Sequence, residues 1–227
     1  MDRFKSHYIE KGAVMMKIVL IGATGFVGSK VLKEALSRGH EVTAISRNTA
    51  KLEQGAGLIP AELDVYDTNA LAAALENQDV VISAFNSGWQ NPNLYADYKR
   101  GYASILAAAK KAHVKRILVV GGAASLILPS GKRVYDENIP ENFKTAVQGP
   151  MELLEELRSE SELKWSFISP APNLTAADKT YHFRIGTDNP VTDTNGESSI
   201  SVGDLAVAIL DEIEKPQFIR KRFTVGY

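Results

Sequence analysis

The sequence predicts an α/β fold on a doubly wound, mainly parallel sheet, and three observations carry that prediction. Short β-rich apolar runs alternate with helix-period segments from Lys17 onward; most of the runs are continuously apolar at their centres; and the first run passes through a glycine-rich turn into a helix. Parallel neighbours need crossover connections, and helices in those crossovers cover both faces of the sheet, so its strands are buried on both sides.

In chain order, strands are expected at 17–21, 41–46, 58–64, 80–84, 116–121 and 164–169, and helices at 26–38, 68–75, 93–112 and 145–159. Arg38, Gly39 and His40 form a helix stop that leads straight into the second strand. Beyond Ser169 the chain turns rich in Pro, Asn, Asp and Gly up to about Gly196, and a small loop-rich C-terminal region is expected there. Residues 170–200 are read as a segment covering a substrate, with a passive surface connection as the alternative. A helix at 202–214 and a short strand at 222–225 close the chain.

The chain has 227 residues, 44% of them hydrophobic, which is enough for one sizeable core, so residues 16–227 are expected to form a single domain. Residues 1–15 read as a polar leader outside the fold, or as a stretch upstream of a true start at Met15 or Met16. A formal net charge of -1 with mixed signs gives no basic stripe for nucleic acid or an anionic membrane. No apolar run is long enough to span a bilayer. There is no cysteine, and the four histidines lie far apart in sequence, so no metal site is expected. A reducing, cytoplasmic setting is the expectation; the oligomeric state, monomer or dimer, stays open.

The chemistry starts at the first turn. Gly22 permits the tight turn, Gly25 lets the backbone approach a pyrophosphate, and Gly28 lets the helix pack close to the sheet. Phosphates would then meet the free N–H groups and the positive end of the following helix. The first glycine interval is one residue longer than in the common dinucleotide fingerprint. The run Gly22-Ala23-Thr24-Gly25-Phe26-Val27-Gly28 resembles the fingerprint of the extended and atypical short-chain dehydrogenase/reductase families. With Asp64, the stretch Gly121-Gly122-Ala123-Ala124-Ser125 and the stretch Ser169-Pro170-Ala171-Pro172, the whole is most similar to an atypical NAD(P)H-binding group. That group includes NmrA-like regulators, flavin and biliverdin-IXβ reductases, and proteins often labelled sugar epimerases.

The resemblance implies a Rossmann-like NAD(P)-binding fold. It puts Asp64 and Val65 beside the adenine, Ala84 and Phe85 beside the ribose and pyrophosphate, and Pro170, Ala171 and Pro172 near the nicotinamide; Thr24, Phe26 and Val27 belong to the phosphate turn. Asp64 reads equally as a turn residue capping the next segment. The second strand ends Ser46-Arg47-Asn48 with no acid to hold a ribose 2′-hydroxyl, whereas an arginine fork suits a 2′-phosphate. NADP(H) is therefore the expected cofactor and NAD(H) the alternative, with Arg47 as the discriminating residue or else an ordinary solvated one.

Typical members of the superfamily use a serine after the fifth strand and a Tyr-x-x-x-Lys pair on the next helix, where the lysine lowers the tyrosine pKa. Ser125 occupies the serine position, as candidate catalytic group and cofactor contact, but the following helix carries no such pair. The match Tyr95-x-x-x-Lys99 comes too early in the fold. Tyr135 is a weak second candidate, since Ile139 stands where its lysine would be. A cofactor site without proton-transfer machinery points to an NADPH-dependent reductase of a small planar acceptor, flavin or quinone. The alternatives are a dinucleotide-sensing regulator and, last, a nucleotide-sugar epimerase or dehydratase. Phe85, Trp89 and the amides between Asn86 and Asn93 read as one wall of the acceptor pocket or as a loop packing on its own domain. Tyr181, His182 and Arg184 read as surface residues that could instead close the pocket.

Overall fold

A computed structural model of the protein describes residues 14–227; of the expected leader, residues 1–13 lie outside the described residues, and Val14 and Met15 are exposed. The chain runs β1 (Lys17–Ile21), α1 (Phe26–Ser37), β2 (Glu41–Ser46), β3 (Leu58–Glu62), α2 (Thr68–Leu75), β4 (Val80–Ser83), α3 (Leu94–Lys111) and β5 (Arg116–Val120). A 3-10 turn (Ala123–Ser125), α4 (Val134–Glu137), α5 (Glu141–Arg158) and β6 (Lys164–Ser169) follow. Then come β7 (Asn173–Thr175), β8 (Arg184–Gly186), β9 (Ser199–Ser201), α6 (Val202–Glu214) and β10 (Lys221–Gly226).

Among the described residues the main sheet has eight strands in the order β3-β2-β1-β4-β5-β6-β10-β8, parallel except for the edge pair β10 and β8. Strand order reverses between β1 and β4, and ligands of open α/β sheets bind outside the carboxyl ends of the strands at such a switch point. Side-chain alternation splits β1 between two cores: Ile18 and Leu20 face α1 and α6, while Val19 and Ile21 face α2, α3 and α5. This is the doubly wound Rossmann-like fold of the sequence reading.

The short helix α4 was not expected and β3 ends two residues early; three further differences stand out. Helix α5 starts at Glu141, four residues before the expected 145, because Pro140 takes the N-cap and Glu141 opens the first turn next to the helix dipole. The loop-rich stretch contains β7, β8 and β9, each three residues long and too short to show a period. Part of that stretch, moreover, is bound to the two helices on one face of the sheet. Its Lys179 pairs with Glu34 of α1 at 2.6 Å, and the main chain at Thr180 and Tyr181 donates to the buried Asp204 of α6, so it clamps the α1 and α6 face.

On the opposite face, α3 is tied to α5 through Glu152, whose carboxylate accepts from Tyr95 Oη at 2.7 Å and Lys99 Nζ at 2.9 Å. The Tyr95 and Lys99 pair is thus a helix clasp. Lys99 and Tyr95 together hold the Glu152 carboxyl down at about 2. A group depressed on folding stabilises fully above its unfolded pKa of ~4.3 and loses that contribution as pH falls through the folded value. Between those two values, melting temperature is expected to fall less steeply for Glu152→Gln than for the parent; identical acid limbs in a calorimetric pH series would remove the clasp from the account.

Candidate functional site

A cavity of ≈ 690 Å³ opens at the carboxyl ends of β1, β2, β4, β5 and β6, at the switch point. The glycine turn forms its floor. Gly22 sits at φ +82, and a Cβ there would meet Ala84 O at 2.7 Å; at Gly28 it would meet Gly22 O at 2.0 Å. Gly25 is the N-cap of α1 and offers no side-chain hydrogen bond, and no acidic residue lies in the first turn. Gly22 N and Ala23 N are taken by Ile45 O, which leaves the amides of Phe26, Val27 and Gly28 without carbonyl partners among the described residues. Three unpaired amides at an uncapped helix start, beside a backbone stripped of side chains, suit a pyrophosphate.

At one end the cavity is bounded by Ser46, Arg47, Asp64, Val65 and Tyr66. Ser46 Oγ lies 2.8 Å from Thr24 Oγ1, so the end of β2 is coupled to the phosphate turn by a hydroxyl pair. Arg47 is exposed and lines the cavity, and no carboxylate pairs with it among the described residues. Asp64 lines the cavity, and its carboxylate accepts from Tyr66 N at 3.0 Å to pin the turn. Tyr66 escaped the sequence reading. Its ring carries the Arg100 guanidinium 3.8 Å above its centroid and meets Phe85 edge-on, making a rigid flat wall.

The other end is walled by Phe85, Asn86, Trp89, Val134, Ile139 and Leu174, with Gly121 to Ala124 and Pro170 to Pro172 between. Trp89 is 67% exposed. Helix α5 presents Ala146, Val147 and Pro150 here, none of which can transfer a proton. Its approach is close because Gly149 packs on Tyr98 of α3: a Cβ there would fall 2.7 Å from Tyr98 Cδ1. Tyr98 lines the cavity from α3, and burial pushes its phenol well above the usual value, so it stays protonated.

The structure gathers Gly22, Thr24, Gly25, Phe26, Val27, Arg47, Asp64, Val65, Ala84, Phe85, Pro170 and Ala171 around this cavity, with Gly28 just behind the turn. Ser125 and Tyr135 are not among the lining residues. The buried Ser125 hydroxyl accepts from Arg222 Nη1 at 3.4 Å, and Arg222 is itself bonded to Asp188. Tyr135 lies under Lys144, whose Nζ is 5.6 Å from its ring centroid. Of residues 170–200, only Pro170, Ala171, Pro172 and Leu174 reach the cavity; Tyr181, His182 and Arg184 do not. A second cavity of ≈ 540 Å³ lies at the opposite end of the sheet between Glu76, Asp79, Lys111 and Lys115, far from the glycine turn. Among the described residues no cluster could hold a metal ion, and no helix is long and apolar enough to cross a membrane.

Residues 22–216 match the NAD(P)H-binding family. The chain belongs to that family. It is 39% identical to the uncharacterized protein YwnB of Bacillus subtilis over 215 residues, 92% of this chain and 98% of that one. Among solved structures, a protein provisionally called an epimerase from Bacteroides thetaiotaomicron superposes with a TM-score of 0.87 at 41% identity, covering 94% of this chain and 98% of the other. One provisionally called an NADH-flavin reductase from Streptococcus pneumoniae superposes at 0.82 with 32% identity, covering 93% and 99%. The two structures carry names for different reactions.

Proposed function

We propose that the protein is a cytoplasmic NADPH-dependent reductase of a small planar acceptor, of the flavin or quinone type. One observation carries the reading: the acceptor end of the cavity is walled by aromatic and apolar side chains, and the helix that bears the proton-transfer pair in typical relatives presents Ala146, Val147 and Pro150 instead. Sugar epimerisation and alcohol oxidation need a group that removes a hydroxyl proton, which these residues do not provide. When bound, the reduced nicotinamide supplies a hydride. The residues here orient and enclose: Phe85 and Trp89 offer flat surfaces, Pro170 and Ala171 hold the ring's edge of the cavity, and the acceptor takes its proton from solvent.

Oxidation of NADPH followed by absorbance, with riboflavin, FMN and quinones offered in turn, tests the reading. Acceleration by at least one acceptor is expected. Tight dinucleotide binding with no turnover on any of them would overturn it and favour a dinucleotide-sensing role.

The cofactor preference rests on Arg47, which lies free at the end of β2 where no acid is available for a ribose 2′-hydroxyl. A charge-assisted bond to a phosphate contributes about 1.5–3 kcal/mol, so Arg47→Ala is expected to weaken NADPH roughly tenfold or more and leave NADH nearly unchanged. Equal losses for both cofactors, measured by fluorescence titration, would take Arg47 out of that role.

A further inference from the structure

Arg47 and Asp64 are the only charged side chains lining the cavity among the described residues, and both belong to its adenosine end. The remainder, from Asn86 and Trp89 across α4 and α5 to Leu174, is neutral. The cations that flank this end in sequence are each engaged by their own acids: Arg133 with Asp136 at 3.2 Å, and Lys144 with Glu141 at 2.7 Å. A phosphate, sulfonate or carboxylate seated among Val134, Val147, Pro150 and Leu174 would give up part of its hydration without gaining a counter-charge, and a desolvated ion without a partner is disfavoured.

From this distribution we infer that the acceptor subsite selects uncharged ring systems and rejects the same rings when they carry an anionic group. The inference rests on the reductase reading and narrows it: an unsubstituted quinone or the neutral body of a flavin fits, whereas a nucleotide sugar or another phosphate-bearing acceptor does not. A neutral quinone asks of the wall only flat apolar contact from Phe85, Trp89, Val147 and Pro150. It also asks for a hydrogen-bond donor, and Asn86 can supply one. Asn86 Oδ1 accepts from Gly88 N at 2.7 Å, which fixes the amide so that its nitrogen is the end left to donate.

The test compares naphthoquinone with its ring-sulfonated form on the protein loaded with NADP+, by quenching of tryptophan fluorescence. The chain has two tryptophans; Trp89 stands at the cavity and Trp165 is buried in the sheet, so quenching reports on the site. The neutral ring is expected to bind roughly tenfold more tightly or better than the sulfonate. Val147→Lys, which adds the missing cation, is expected to narrow or reverse that ratio. Equal or tighter binding of the sulfonate by the unmodified protein, or no binding of either ring, would overturn the inference. Because the readout is binding, selectivity for the neutral ring without NADPH oxidation would leave the inference standing and remove the reductase reading instead.

Discussion

Gly28→Ala is expected to abolish useful dinucleotide binding, with an apparent Kd for NADPH weakened roughly 100-fold. The added Cβ would sit 2.0 Å from Gly22 O, and that oxygen has nowhere to retreat. It already accepts from Gly25 N at 3.0 Å, and Gly22 is pinned at φ +82 between Ile45 O and the backbone of Ala84. The start of α1 must therefore move outward, and the amides of Phe26, Val27 and Gly28 move with it. Hydrogen bonds to charged groups contribute about 1.5–3 kcal/mol each, so losing two of them accounts for the expected factor at 1.4 kcal/mol per decade. Gly55→Ala is the matched control, because a Cβ there meets nothing within 4 Å and no left-handed backbone is involved. It should bind NADPH as the parent does. A Gly28→Ala protein that melts normally and keeps its Kd would show that the glycine serves only helix packing.

The turn was legible because everything it needs is local: a buried strand, a glycine spacing and a helix start, all within residues 17–28. Arg47 follows directly on β2 and Asp64 comes two residues after β3, so their place at the cavity was legible for the same reason. What sequence could not show are the contacts made across many residues. Ser125 reads as catalytic by its place after β5, yet its hydroxyl is turned toward Arg222, and the Arg222 partner Asp188 lies in the stretch that looked like a lid. Nothing near Ser125 announces that arrangement. Tyr95 and Lys99 show the converse, a motif match whose side chains meet on Glu152, more than fifty residues away, and serve as a clasp between helices. Which positions of α5 face the cavity depends on its approach to Tyr98 at Gly149, again a tertiary matter. The absence of a Tyr-x-x-x-Lys pair was readable from sequence; the neutral wall in its place was not.

The second large effect concerns stability and lies at the opposite end of the sheet. Glu212 of α6 is 4% exposed, and its Oε1 accepts from Arg116 Nη2 at 2.6 Å, Ser166 Oγ at 3.1 Å and Phe218 N at 3.0 Å, while Oε2 takes Gln217 N at 2.9 Å. One carboxylate thus joins the first residue of β5, the interior of β6 and the turn leading to β10. Burial pushes the Arg116 pKa down from its usual value, a mark of how much the cation depends on its partner. Glu212→Ala leaves Arg116 buried without a counter-charge and the amides of Gln217 and Phe218 unpaired, while Ser166 Oγ keeps Phe218 O at 2.9 Å. Removing one member of a buried pair costs about 3–5 kcal/mol, and a chain of this size loses roughly 2–4 °C in Tm per kcal/mol, so a drop on the order of 10 °C is expected. The double variant Arg116→Met with Glu212→Leu should recover part of it, since most of the penalty is the stranded charge rather than a lost attraction. NADPH affinity below the melting range should not change in either variant, because β5 carries the ion pair at its amino end and the cavity at its carboxyl end. A single variant that melts within 2 °C of the parent would mean that water reaches Arg116 and screens it, and that α6 is held by its apolar face alone.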